Sequence, residues 1–299
     1  TVWILFLALA FLACQNGGYK KGNYSDDQSG KNQGKFRTHE VTAFSDSALA
    51  DKELRNIVLL IGDGLGVSQI SAAATANHNK LFMEQLPVVG LNKTYSASAY
   101  ITDSGAAGTA IATGHKTKNQ SIGVNADGQP VQSILELAEA NGYATGLVST
   151  SKITHATPAA FIAHEKDRNS YEAIAADFLD TDIEVFIGGG EGDFAARKDG
   201  QNLVETLQAR DYTIACSIEQ VQNSKGEKLA GLLNEGHLPR YSERGEMLVP
   251  ATEKALEMLS ANKKGFFLMV EASQIDWGGH ENSARSVIEE TLAIDRAVG

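Results

Sequence analysis

Cysteine is almost missing from this 299-residue chain, which holds only Cys14 and Cys216. No intrachain disulfide survives once Cys14 is lipidated or removed. Proline is also scarce, five residues against 29 glycines, which suits regular elements joined by Gly-rich loops. Basic side chains fall short of acidic ones, 26 against 37, for a formal net charge of −11. That balance argues against nucleic acid as a specific partner, because nonspecific binding needs clustered Lys and Arg to displace counterions. An acidic protein still binds phosphate where metals sit on its carboxylates. The apolar run at the front, residues 2–13, has only twelve residues, too few to span a bilayer comfortably but the size of a signal-peptide core.

What is there divides into three parts. Residues 1–14 read as a signal segment, and Leu12, Ala13 and Cys14 resemble a degenerate bacterial lipobox. Two readings stand: a cleaved signal, or a lipidated Cys14 that anchors the chain to a membrane. Either implies export, to the periplasm or the outer membrane of a bacterium. The run lacks an initiating Met and a basic flank, so the chain reads as clipped at its front. Residues 15–50 read as a polar linker, Gly- and Asn-rich as far as Lys35, and residues 51–299 as the folded domain.

From Arg55 onward, short apolar runs alternate with helical patterns, the signature of a parallel sheet covered by helices. Strands are predicted over 56–62, 143–150, 183–189 and 266–272, each apolar enough to be buried on both faces. Helices are predicted over 67–77, 132–141, 170–179, 201–210, 251–261 and 284–297. Between Tyr212 and Pro250 the pattern weakens, which reads as surface elaboration. The fold class is α/β, and ligands of such sheets bind beyond the carboxyl ends of the strands.

Polar residues gather at that edge. Asp63 ends the first strand before Gly64, Leu65 and Gly66, as a turn residue or as a carboxylate that holds something. Thr102, Asp103 and Ser104 open a run of small residues, SGAAG, so close approach of that helix start is expected. Ser104 reads either as a helix cap or as a nucleophile facing an anion at the free amides. Thr157 precedes Pro158 and reads as a cap or as a magnesium ligand. Arg168 is either solvated or a clamp for a phosphoryl group. Glu271, Asp276 and His280 offer donors suited to magnesium and zinc, or form a salt-bridged strand end. Gly278 and Gly279 point to a loop between Asp276 and His280.

Four motifs, NIVLLIGDGLG, ITDSGAAGTAIATG, VSTSKITHATPAAFIAH with the following Arg168, and FFLMVEASQIDWGGH, resemble those of the alkaline phosphatases in order and approximate spacing. The resemblance covers about Arg55 to the end of the chain. It implies a three-layer sandwich around a mostly parallel sheet, and phosphate-monoester hydrolysis through a phosphoserine in a site of two zinc ions and one magnesium ion. By motif position, Ser104 would be the nucleophile and Arg168 the clamp. Asp63 would bridge one zinc and the magnesium, Thr157 and Glu271 would complete the magnesium ligands, and Asp276 and His280 would hold the other zinc. Homodimers are common in that family.

The departures are specific. His155 stands where some bacterial members carry an Asp, and Trp277 where they carry a Lys, which bears on magnesium affinity and phosphate tightness. The family takes an Asp-His pair and a further His from a downstream segment, and no His follows His280. The chain therefore reads as the front part of such an enzyme, its sheet incomplete at the C-terminus, with two zinc ligands per site. Two rival classes stand beside this: a relative acting on phosphodiesters or sulfates, and a noncatalytic phosphate-binding lipoprotein. The SGAAG context lacks the Arg that a sulfatase needs.

Overall fold

The computed structural model describes residues 2–5, 36–43 and 55–299. Cys14, with the lipobox reading, and most of the 15–50 linker lie outside the described residues. The sheet is built from β1 (Val2–Leu5), β2 (Asn56–Gly62), β3 (Ala144–Lys152), β4 (Val185–Gly189), β5 (Tyr212–Ala215), β6 (Lys228–Leu232) and β7 (Phe266–Ala272). Their order is β1-β2-β7-β3-β4-β6-β5, and every pairing is parallel. Six strands carry the domain, and the four-residue β1, in the segment read as a signal, pairs with the outer edge of β2.

Three layers follow from the period-two geometry of the strands, which sends successive side chains to opposite faces. Val58, Leu60, Leu268 and Val270 enter one core with the helices Val67–Ala76, Leu248–Leu259 and Ala284–Val298. Leu59, Leu147, Phe267 and Met269 enter the other, under the helices Ile134–Ala140, Tyr171–Asp177 and Leu203–Ala209. Because both faces are covered, the strands need continuous apolar runs rather than alternation, as the sequence shows. Phe178, Phe186 and Phe194 are fully buried and in mutual ring contact, each stabilising the fold by about 2–3 kcal/mol relative to exposure.

Two expectations fail here. The stretch from Tyr212 to Pro250 is not surface elaboration: it supplies β5 and β6, and Leu229, Ala230 and Leu232 lie in the cores. These strands are short, and a four- or five-residue strand carries too little periodicity to stand out. The link from Asp276 to His280 is not a loop but the helix Gln274–His280. Its Gly278 packs against the next helix, where a Cβ would sit 2.9 Å from the backbone N of Val287. Packing decided what the pair of glycines would not.

Residues 36–43, within the stretch read as linker, lie against the domain. His39 Nε2 is 2.8 Å from Asp295 Oδ2, and the fully buried Asp295 also accepts the backbone N–H groups of Phe82 and Met83.

Candidate active site

β7 lies between β2 and β3, with Glu271 opposite Ile61 on one side and Ser149 on the other. Just beyond the strand ends, the backbone N–H of Asp63 donates to Ala272 O at 3.2 Å, so the two carboxylates share one edge. Gly64 is required there twice over. Its φ is +69°, and a Cβ would lie 2.6 Å from the Cα of Asp276. The Gly64 turn therefore wraps around Asp276, and Asp63 stands close to both Asp276 and Glu271.

The helix Ser104–Thr113 opens opposite Asp63. Asp103 is its cap, accepting from Ala106 N at 2.9 Å, so the capping role weighed for Ser104 falls to its neighbour. The freed Ser104 hydroxyl donates to Asp63 Oδ2 at 2.9 Å. The small residues do what their size allows: a Cβ on Gly105 would meet Ser121 O at 3.0 Å, and one on Gly108 would meet Ala160 Cβ at 3.2 Å and Thr157 Cα at 3.3 Å. The helix thus packs backbone-close on the short helix Ala156–Ala159. Thr157 is not a cap, because His155 occupies that position; Thr157 is buried in the first turn.

Arg168 is held, not solvated. Its Nη1 lies 3.1 Å from Asp103 Oδ2 and its Nη2 donates to His155 Nε2 at 3.0 Å, with 13% of the side chain exposed. Burial, then the charges of Arg168, His237 and Lys152, push the His155 pKa down to about 3, so the ring is neutral and Nε2 accepts. His155 Nδ1 is buried without a hydrogen-bond partner. The His155 ring meets His237 edge-on at 5.3 Å and Trp277 at 6.1 Å between centroids.

The carboxylates stand differently. Glu271 is fully buried; Ser149 Oγ donates to its Oε2 at 2.6 Å, while Oε1 has no hydrogen-bond partner. Burial, then the charge of Asp63, raises its pKa to about 7 against the hydroxyls of Ser149 and Thr157. Asp63 rises to about 6, through burial and then Asp276, although its Ser104 bond and Arg168 work the other way. Asp276 and His280 lie on one helical face, 3.4 Å apart, with His280 exposed. Among the described residues, no group of three or more His, Cys, Asp or Glu side chains gathers to hold a metal ion.

The structure places the residues singled out from the sequence as follows: Asp63, Ser104, Thr157, Arg168, Glu271 and Asp276 at the centre, His155 beside Arg168, Trp277 against the His155 ring, and His280 at the rim beside Asp276. Sequence reasoning missed Ser149 and His237, and saw Asp103 only as one of three possible caps. Nothing local marks Ser149 or His237. Asp103 had a signal, since an Asp one residue before a run of small helix formers caps best.

The site joins a serine hydroxyl, an arginine and carboxylates at the carboxyl edge of an α/β sandwich, and comparison with known proteins gives its family. The sequence model described as "Alkaline phosphatase" matches residues 54–299. Alkaline phosphatase 4 of Bacillus subtilis (strain 168) is 38% identical, over 82% of this chain and 57% of its own. The chain therefore spans little more than half the length of that relative. The structure of alkaline phosphatase from the Antarctic bacterium TAB5 superposes with a TM-score of 0.78 at 40% identity, over 83% of this chain and 74% of that one. A variant of that enzyme in which aspartate replaces a histidine, with magnesium bound in its M3 site, superposes at 0.77 and 39% identity, over 82% and 72%. The chain belongs to the alkaline phosphatase family.

Proposed function

We propose that the protein hydrolyses phosphate monoesters to an alcohol and inorganic phosphate, with Ser104 as nucleophile. The observation that carries this is the Ser104 hydroxyl, released from capping by Asp103 and directed at Asp63. Donating its proton to Asp63 leaves the Ser104 oxygen lone pairs for phosphorus. The Oγ–P bond forms as the P–O bond to the leaving group breaks, the departing oxygen takes up a proton from water in exchange for the Ser104 proton passed through Asp63 to solvent, and water then attacks the phosphoserine to release phosphate and restore the hydroxyl. Two in-line displacements give net retention at phosphorus. Arg168 faces the phosphoryl oxygens: two of its five N–H donors are taken by Asp103 and His155, which leaves three for the substrate. Little of this site would touch the alcohol, so broad specificity is expected.

The carboxylates fit a cation. A fully buried Glu271 with an orphaned oxygen, near the charge of Asp63, is unfavourable unless positive charge or a proton joins it. Asp63, Thr157 and Glu271 form an oxygen donor set suited to magnesium. Asp63 with Ser104, and Asp276 with His280, would each give two donors to a zinc ion, fewer than the three or four that zinc takes from protein. Bound cations would lower the hydroxyl pKa and neutralise phosphoryl oxygens. Export, through a signal ending near Cys14 that is cleaved or lipidated, and homodimerisation belong to the same proposal; the apolar run at 2–13 supports the first and family resemblance the second.

A brief incubation with labelled phosphate ester at acid pH, metals supplied, should trap label on Ser104. A metal-loaded protein without label would remove the enzyme reading in favour of a phosphate-binding protein.

A further inference from the structure

Among the described residues the His155 ring has a single hydrogen bond, the one to Arg168, and it is otherwise bounded by two aromatic neighbours. Trp277 comes from the helix that carries Asp276. His237 comes from the loop after β6, and that loop is fastened at several points. Gly190 N donates to Gly236 O at 2.8 Å, Asn234 Nδ2 donates to His237 O at 2.6 Å, and Gln274 Nε2 donates to Leu238 O at 2.9 Å. The backbone N–H of Lys152, at the end of β3, donates to His237 Nδ1 at 3.2 Å, which sets the ring plane and leaves the proton on Nε2. The ring so fixed lies edge-on to both His155, at 5.3 Å, and Trp277, at 4.8 Å. Gly189 lets the loop come this close, since a Cβ there would lie 2.3 Å from Gly236 O.

We propose that His237 is a positioning residue for the phosphate clamp, holding the Arg168 guanidinium in its binding orientation through the His155 ring. Arg168 has two anchors, and they differ in kind. Asp103 is fixed by its own cap bond and by Gln120 N at 2.9 Å. Apart from its bond to Arg168 itself, the His155 ring is held by packing, and His237 is the wall whose own orientation the backbone dictates. Without that wall His155 can turn about its side-chain bonds, and the guanidinium keeps one anchor of two. The effect falls on the binding of the phosphoryl group rather than on Ser104, whose contacts run through Asp63 and Asp103.

This inference rests on the reading of Arg168 as the phosphate clamp, and the test separates the two. Inorganic phosphate affinity is measured by calorimetry on the metal-loaded full chain, with Arg168→Ala, His237→Ala, His237→Phe and the double variant His237→Ala/Arg168→Ala. Expected are a loss of about fivefold to tenfold for His237→Ala, within the coupling range of contacting residues, and less than about twofold for His237→Phe, which keeps the ring. In the Arg168→Ala background, His237→Ala should change nothing further. Equal losses with and without Arg168, or no loss while Arg168→Ala weakens phosphate, overturn the inference and leave the clamp intact. If Arg168→Ala itself leaves phosphate affinity unchanged, the clamp reading falls and the inference with it. Thermal midpoints identify a variant that fails to fold; His237→Asn, which keeps an acceptor for Lys152 but no ring, then stands in for His237→Ala and should behave like it.

Discussion

The two halves of the site solve the problem of buried charge in opposite ways. On the helix side, Arg168 bonds both Asp103 and the Nε2 of neutral His155, and Asp103 has the Ala106 and Gln120 amides besides. On the sheet side, Asp63 lies near Glu271 and near Asp276, and Asp63 and Glu271 are pushed towards their protonated forms. On the helix side the charge of Arg168 is paired within the chain. The sheet side is a set of donors whose charge asks for a partner from outside the chain. In the proposed reaction the phosphoryl group would lie between the two halves, with Arg168 on one side and the carboxylates on the other.

The comparison can be broken where the halves meet. Ser104→Ala removes the hydroxyl that bonds across the gap to Asp63, and hydrolysis of an aryl phosphate should fall by roughly 10⁴-fold or more, as when other serine nucleophiles are deleted. Fold and phosphate binding should be retained; steady-state kinetics and circular dichroism check both.

The next largest effect concerns the sheet side alone. Asp63 and Glu271 have folded pKa values raised to about 6 and about 7 from 3.8 and 4.5, so the folded chain binds more protons than the unfolded one across that interval. With metal chelated, stability should therefore fall as pH rises from about 4 to about 7, by up to about 3 kcal/mol for each group, and level off above. Urea denaturation at stepped pH measures it. Magnesium at millimolar concentration should flatten the decline, and a flat profile without metal would mean that the carboxylates are compensated from within.

Gly64→Ala tests the wrap around Asp276. A left-handed backbone and a 2.6 Å approach to Cα leave no room, so a loss of roughly 2 kcal/mol is expected by thermal denaturation. Asp103→Ala, on the helix side, should cost about 1 kcal/mol from the lost cap and weaken phosphate binding as Arg168 loses its charged anchor. The two variants together sharpen the contrast: one should disturb metal response most, the other anion affinity.

Much of this was legible beforehand. The four buried strands read from their apolar runs appear within two residues of their expected ends, because a strand covered on both faces cannot hide its composition. Asp63, Ser104 and Glu271 stood out because each follows such a run or opens a run of small residues. The rest was not legible because the cause lay elsewhere in the chain. β5 and β6 are too short to show a period, and His237 enters the site only because β6 sits beside β4 and its loop crosses to β3. Asp276 and His280 became helical neighbours because Gly278 lets one helix settle on the next.

The sequence by itself determined the α/β class, the sheet edge at which chemistry collects, and the types of group available there. These are properties of composition and local spacing. Tertiary structure decided which hydroxyl was free, which charges were compensated and which ring stood behind Arg168. Hydrogen bonding and burial depend on what the folded chain brings within about 3 Å and what it hides from water, and residues far apart in sequence supply both.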